Sequence, residues 1–449
     1  MTEILSLPLR EALVEKLAES LAGPLPDGTP RRIFGAPGLP GKATAIVGMR
    51  RAGKTTYLHQ LRRERLAKGA ARDRLPYLNF EDERLTELQA GQLGFLVEEY
   101  GRRVPQDAAG GPVIWCFDEI QVVPGWERFV RRLLDAGGNE VIVTGSSAAL
   151  LSREIATALR GRAWEVPLFP FSFAEALLHG GQTLPADPAF LSGTKRAAIE
   201  RAFREWLVVG GFPEAQGLDG ASRAQLLRDY VDVAMLRDVV ERHGVGNVTG
   251  LRWLVRHLLG NAAGLFSVEK FYAALKSQGV AISKDTVHQL LAHLEDCFLV
   301  RMVWLESTSE RQRMVNPRKA YPVDSGLIPV FDRSGRANVG HALETAVLIE
   351  LQRRRCEVTY VRTPGGFEVD FLARDLEGKP ELIQVCADAS DPTTADREIR
   401  ALLEAGEMHP KAQKRLITLH RDGRPGAAPP EIIVQPAYEW MLLPPGGEG

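Results

Sequence analysis

The stretch 43–56, Ala-Thr-Ala-Ile-Val-Gly-Met-Arg-Arg-Ala-Gly-Lys-Thr-Thr, constrains the fold more than any other part of the chain. The apolar run Ala43 to Val47 reads as a buried strand. Gly48-x-x-x-x-Gly53-Lys54-Thr55 follows at once, and Thr56-Tyr57-Leu58 opens a helical pattern. Strand, glycine loop and helix in that order make a phosphate-binding loop. Glycine lets the backbone bend around phosphate oxygens where a Cβ would intrude. The N–H groups of the loop and of the helix N-terminus then face the anion. Gly48, Arg50, Arg51, Ala52, Gly53, Lys54, Thr55 and Thr56 are the expected nucleotide contacts. Lys54 would reach the β- and γ-phosphates, and the Thr55 hydroxyl would ligate Mg²⁺.

A second signal stands at Val113-Ile-Trp-Cys-Phe-Asp118-Glu119, an apolar strand ending in two carboxylates. Asp118 is the candidate for the Mg²⁺ hydration shell, since Mg²⁺ keeps waters and takes few carboxylates. Glu119 is the candidate general base for the attacking water. The chain has no Asn-Lys-x-Asp guanine-reading motif, so ATP is the expected nucleotide. Val141-Ile-Val-Thr144-Gly-Ser146-Ser147 reads as another buried strand ending in hydroxyls. Either Thr144 or Ser146 would sense the γ-phosphate or orient the water, and the sequence does not choose. After a helix, Arg160 and Arg162 are candidates for an arginine finger reaching a neighbouring subunit, against the plainer reading of a helix cap. Leu75 to Phe80 reads as a strand ending in Glu81-Asp82, which would hold water near the metal or cap the next turn.

At 449 residues the chain is too long for one core, and about three domains are expected. Apolar content of 45% and charged content of 25% are ordinary for a globular protein. The formal net charge of −1 supplies no global field toward nucleic acid or membrane, so such binding must come from local patches. Four scattered cysteines without a C-x-x-C pair favour reduced thiols. The N-terminus lacks the pattern of a signal peptide, and no run of 18 apolar residues suggests a membrane span. A cytoplasmic protein without membrane contact is expected.

Leu9, Leu13, Leu17 and Leu21 recur at helical spacing, so residues 8–22 read as an amphipathic helix, joined by a Pro/Gly-rich link (23–41) to the first strand. The basic run Arg62 to Arg74 is either a solvated helix face or a polyanion or subunit contact. Ser172 with Glu175 reads as a capping box, and Gly210-Gly-Phe-Pro-Glu214 as a hinge or a packing turn. These lie in a small helical lid.

Leu251 to Leu259 reads as a helix, Ser267 and Ser283 cap two further ones, and Phe298–Leu305 and Lys319–Asp324 read as strands around a polar tip. Three helices and a hairpin is the winged-helix pattern. As a DNA reader it would present Lys284, Thr286, His288 and Gln289 to the groove. Arg311, Arg313, Arg318 and Lys319 would serve the wing and the phosphates. The alternative is a module that packs against its neighbours.

Quoted in order, Gly48-Met-Arg-Arg-Ala-Gly-Lys-Thr-Thr, Tyr77-Leu-Asn-Phe-Glu-Asp, Phe117-Asp-Glu-Ile-Gln, Thr144-Gly-Ser-Ser, Leu159-Arg-Gly-Arg and Gly210-Gly-Phe-Pro-Glu resemble the archaeal-type AAA+-like ATPases that carry an uncharacterised C-terminal domain. The resemblance implies Lys54 and Thr55 as Walker A residues and Asp118 and Glu119 as Walker B residues. Further on, the helix opening at Gly340, with Glu344, and the strands around Val358, Glu368-Val-Asp370 and Glu381-Leu-Ile-Gln384-Val-Cys386 resemble a restriction-endonuclease core. That resemblance implies metal binding by Glu344 and Asp370. The third element departs from it: Gln384 replaces a carboxylate and Cys386 replaces the lysine. A neutral amide is a poor Mg²⁺ ligand, so a vestigial nuclease is expected.

The reading is an α/β chain with four parts: a P-loop, AAA+-like parallel sheet (1–170), a helical lid (171–245), a winged helix (246–335) and an inactive restriction-endonuclease-like domain (336–449), ending in a tail from Pro444 expected to be disordered. ATP and Mg²⁺ are the expected cofactors. The order of the first three parts resembles branch-migration motors by architecture. The expected activity is ATP hydrolysis by a ring-shaped homo-oligomer, such as a hexamer, that remodels DNA. A nucleotide-gated switch acting on a protein partner is the first alternative, and an ATP-regulated nuclease the second.

Overall fold

A computed structural model of the chain describes residues 5–34, 38–104, 111–146, 161–332 and 338–443 and forms two units, Met1–Leu168 and Phe169–Gly449. The first holds the strands β1 (Ala43–Val47), β2 (Tyr77–Asn79), β3 (Val113–Asp118), β4 (Asn139–Gly145) and β5 (Ala163–Pro167). They pair in parallel in the order β2-β3-β4-β1-β5. β1 and β3 are buried along their whole length, as continuous apolar runs require of strands covered on both faces. The phosphate-loop strand β1 is therefore central, and its neighbour β4 separates it from β3. The C-terminal ends of these strands lie on one sheet edge, where open α/β sheets bind ligands.

The helix Leu7–Ala22 buries Leu9, Leu13 and Leu17, three of the four leucines spaced for one face. The basic run behind the loop helix is not all surface. Arg62 is 2% exposed, and its guanidinium donates to the carbonyls of Leu75 at 2.8 Å and Ser20 at 3.0 Å. It ties the end of the first helix to the approach to β2. Arg74 is also buried. A guanidinium offers five donors in a fixed fork, which suits it to collecting carbonyls from separate segments. For these two arginines both the solvated face and the polyanion contact are corrected to a structural role.

In the second unit, Ser172 and Glu175 exchange both bonds of the capping box at the helix Phe173–His179. The Gly210-Gly211 turn is a packing turn. The Asp324 carboxylate accepts the Gly211 N–H at 2.7 Å, and a Cβ on Gly211 would stand 2.2 Å from the Phe171 carbonyl oxygen. The helices Val248–Gly260, Val268–Ser277 and Lys284–Asp296 follow, with Asn247, Ser267 and Ser283 each accepting a backbone N–H at the N-cap.

The remaining strands are β6 (Leu265–Phe266), β7 (Val300–Leu305), β8 (Arg318–Pro322), β9 (Glu357–Arg362), β10 (Glu368–Arg374), β11 (Pro380–Cys386), β12 (Gln413–Thr418) and β13 (Ile432–Pro436). β7 and β8 form the expected antiparallel hairpin, with a helix, Glu310–Val315, at the expected polar tip. β7 also pairs in parallel with β9, through Trp304↔Thr359 and Leu305↔Tyr360. The hairpin thus belongs to one eight-stranded sheet, β13-β12-β11-β10-β9-β7-β8-β6. One apolar core joins Tyr321 of β8, Tyr360 of β9 and Phe371 of β10 to Leu343 and Val347 of the helix Val339–Arg353. No helix among the described residues is long and apolar enough to cross a membrane.

Candidate active site

The loop after β1 is shaped by its glycines. A Cβ on Gly48 would lie 2.1 Å from the Leu168 carbonyl oxygen, so no side chain fits there. Gly53 turns the chain into the helix Lys54–Ala67 at φ +95°, and Arg51 adopts φ +65°, a left-handed conformation uncommon outside glycine. The Lys54 ammonium is buried. It donates to the Gly48 and Met49 carbonyls at 3.2 and 3.3 Å and lies 3.2 Å from the Glu119 carboxylate. Arg50 reaches the other way, to Glu81 at 2.7 Å. Its neighbour Asp82 caps the following turn by accepting the Arg84 N–H and pairs with Lys16. The acidic pair at the end of β2 is therefore split between the loop and a cap. The linking segment also contributes: buried Arg31 donates to the Ala52 carbonyl at 2.8 Å. A lone arginine in a Pro/Gly-rich link carries no sequence signal of that role.

Asp118, at the end of β3, is the hub. Its Oδ2 accepts the Thr55 hydroxyl at 2.7 Å and the Tyr77 hydroxyl at 3.0 Å. Its Oδ1 accepts the Thr144 hydroxyl, whose oxygen in turn accepts the Glu119 N–H at 2.9 Å. Thr144 is fully buried and so fixes both carboxylate residues from β4. Ser146 is buried nearby along the chain, one residue past the end of β4. Burial pushes the Asp118 carboxyl up, with the Glu119 charge adding to it, against the hydrogen bond from Thr144. Burial also opposes the Glu119 charge, but the Lys54 and Arg50 cations outweigh it and hold that carboxyl below its usual range. Glu119 itself sits at φ +51°, and the Gln121 amide donates to it. The Thr55 hydroxyl and the Asp118 carboxylate are hard oxygen donors already in contact, a donor set that fits Mg²⁺. Arg162 pairs with Asp135 and is about half exposed, while Arg160 lies outside the described residues.

Residues 40–177 match the AAA domain family, and residues 200–335 match a domain of unknown function. An uncharacterized protein of Methanocaldococcus jannaschii is 34% identical over 82% of this chain and 79% of its own length. The chain belongs to the archaeal-type AAA+-like ATPase family. A second uncharacterized protein, from Haemophilus influenzae, is 30% identical over 74% of this chain and 79% of its own length. Among solved structures, the Walker-type ATPase PABY2304 of Pyrococcus abyssi aligns at 17% identity and TM-score 0.38, over 72% of this chain and 95% of that one. The Holliday junction branch migration motor RuvB of Thermotoga maritima aligns at 14% identity and TM-score 0.26, over 66% and 89%. At such scores these two leave mechanism and partner unassigned.

Within this ATPase the eight residues expected to read DNA meet different fates. His288 and Gln289 are exposed on the helix Lys284–Asp296. Lys284 pairs with Glu269 at 2.5 Å, and the Thr286 hydroxyl is bonded to the Ser283 cap at 2.8 Å. Arg311 is exposed, Arg313 pairs with Glu310 at 3.2 Å, and the Arg318 guanidinium stacks 3.4 Å from the Trp304 ring centroid. Lys319 is corrected outright. It is 4% exposed, and its ammonium is enclosed by carboxylates rather than presented at the surface.

The Lys319 ammonium lies 3.0 Å from Glu344 Oε1, 2.9 Å from Glu368 Oε1 and 2.9 Å from Asp370 Oδ1. The Tyr321 hydroxyl donates to Glu344 at 2.7 Å. Burial raises the Glu344 carboxyl to about 8, with Asp370 adding to the shift. Gln384 is used up at both ends: its oxygen accepts the Asp370 N–H at 3.2 Å and its amide donates to Glu398 at 2.7 Å. The cation that β11 lacks thus arrives from β8, a strand that sequence spacing assigns to the wing. Cys386 remains a neutral thiol, pushed up to about 11 by burial.

Proposed function

We propose that this ATPase is a Mg²⁺-dependent, ATP-hydrolysing motor that binds and remodels DNA, branched DNA included, as a ring-shaped homo-oligomer. The observation that carries the hydrolytic half is the Thr144 hydroxyl, bonded at once to Asp118 and to the Glu119 N–H. It aims two carboxylates of different duty from one point. Thr55 and Asp118 would hold Mg²⁺, which supplies charge neutralisation at the phosphates. Lys54 would exchange Glu119 for nucleotide phosphate. Glu119, released from its ion pair with Lys54 but still facing the Arg50 cation and bonded by the Gln121 amide, would then serve as the base for water. A finger in trans is assigned to Arg160 or Arg162; for Arg162 this requires release from Asp135.

The restriction-endonuclease-like sheet is read as a platform without nuclease activity. Supporting this, Gln384 has no free end to offer a metal, and Lys319 fills the space between the carboxylates. The switch acting on a protein partner is the second reading. It is favoured by the prior engagement of Lys284, Arg318 and Lys319, which removes cations from the expected DNA face.

Steady-state ATP turnover decides among these. It is measured for the wild type and Glu119→Gln with no DNA, single strand, duplex and a four-way junction, at two salt concentrations. Stimulation by one DNA form that fades with salt, as counterion release requires, and is absent in the variant supports the motor. Turnover indifferent to every DNA overturns it in favour of the switch. Metal-dependent DNA cleavage lost in Asp370→Ala would overturn the platform reading.

A further inference from the structure

The second unit contains a cleft of about 1050 Å³ that the expected DNA-reading helix does not line. Its walls come from the helices Gly220–Val233, Val248–Gly260 and Val268–Ser277, all inside the stretch that matches a domain of unknown function. Three exposed cations line it: Arg228, Arg256 and Lys270. None of the three has an ion-pair partner among the described residues. That sets them apart from Lys284, Arg313 and Lys319, whose charges are already matched. Asp332 is the one carboxylate among the described lining residues.

Trp253, 43% exposed, stands on the same wall as Arg256, three residues on and hence on the same helix face. The cleft thus combines uncompensated positive charge with an open aromatic face. On the same helix the His257 ring packs on the buried rings of Phe266 and Phe271, with centroids 5.7 and 5.2 Å apart. Burial holds the His257 imidazole below its ordinary value, so it adds no charge near neutrality.

We propose that this cleft binds single-stranded DNA, with bases stacking on Trp253 and phosphates running past Arg228, Arg256 and Lys270. Stacking needs an unpaired base with an open face, and a concave groove admits one strand where a convex duplex stays outside. Arginine beside an aromatic ring suits both phosphate contact and base stacking. This deepens the motor reading and rests on it, and moves strand contact from the helix Lys284–Asp296 to the helix pair before it.

The test uses the full chain and a fluorescently labelled oligo-dT followed by anisotropy, with an oligo-Glu peptide as competitor. The variants are Trp253→Ala, the double reversal Arg228→Glu/Arg256→Glu, and the control pair His288→Ala/Gln289→Ala. Thermal melts and DNA-free ATP turnover, both expected unchanged, check folding. Losing one stacked base should weaken oligo-dT binding by about tenfold. The double reversal should weaken it further and flatten the salt slope by about two, while the control pair changes little. Wild-type binding that survives both cleft variants overturns the inference and leaves the motor reading standing. No binding to single strand, duplex or junction even at low salt overturns both. Oligo-Glu binding as tight as oligo-dT, and equally lost in the variants, overturns DNA in favour of an acidic protein segment.

Discussion

Lys319 on β8 donates to Asp370 on β10 at 2.9 Å, across a sheet in which β7 and β9 lie between them. One ammonium serves three carboxylates, and its proton is held far more tightly than in a free lysine: burial opposes the charge, and Asp370, Glu344 and Glu368 more than compensate. Removing it would leave buried negative charges facing one another. Lys319→Met should therefore destabilise the second unit by about 3–5 kcal/mol. The loss should be smaller at pH 5 than at pH 8, because the Glu344 carboxyl, raised to about 8 by burial, is neutral at the lower pH and leaves one fewer uncompensated charge. Denaturant unfolding at the two pH values measures both.

Thr144 is a positioning residue for Asp118 and Glu119. Thr144→Val keeps the shape, but leaves a buried carboxylate oxygen and a buried N–H without their partner. ATP turnover should fall roughly 10²-fold, the scale of a displaced general base, with nucleotide affinity nearly unchanged. Thr144→Ser should restore most of the rate. A γ-phosphate sensor would instead weaken ATP binding relative to ADP.

Tyr77 holds the same Asp118 oxygen as Thr55. Tyr77→Phe removes that hydroxyl and little volume. Since groups that orient a ligand carboxylate commonly change metal affinity by about tenfold or more, the Mg²⁺ concentration for half-maximal turnover should rise about tenfold. A Mg²⁺ titration at saturating ATP reads this directly.

His59 is buried against Tyr77 and accepts from the Arg62 guanidinium through Nδ1. Burial, then the Arg62 charge, lowers its pKa to about 4. Unfolded, it would titrate near 6.5. Between those values the unfolded chain takes up a proton that the folded chain refuses, so this residue's contribution is full above pH 6.5 and lost as pH falls toward 4. His59→Gln should flatten the acid limb of a stability–pH profile in that window.

The phosphate loop and the Asp118-Glu119 strand are legible because their chemistry depends on local spacing alone. What separates Thr144 from Ser146 is not, because it depends on how β3 and β4 align and on which way each side chain points. Lys319 is hidden for a related reason. Its partners Glu344, Glu368 and Asp370 lie 25 to 51 residues away, and the sheet joining them closes only through the β7–β9 pairing. Nothing local in Lys319-Ala-Tyr-Pro announces that. Arg62 misleads for the opposite reason. A run of arginines reads as solvent-facing until the carbonyls of Ser20 and Leu75 are found beside it.

The β7–β9 pairing also bears on how the chain tolerates being cut. Two modules joined by a tether can be expressed apart, each keeping its own margin. Here, severing the backbone between β8 and β9 would strip β7 and β9 of their shared ladder and expose two raw edges, each a template for foreign strands. It would also part Lys319 from the acids it neutralises. The fragments would be sticky and ill-charged, so the region from residue 169 onward is best handled as a single heritable piece.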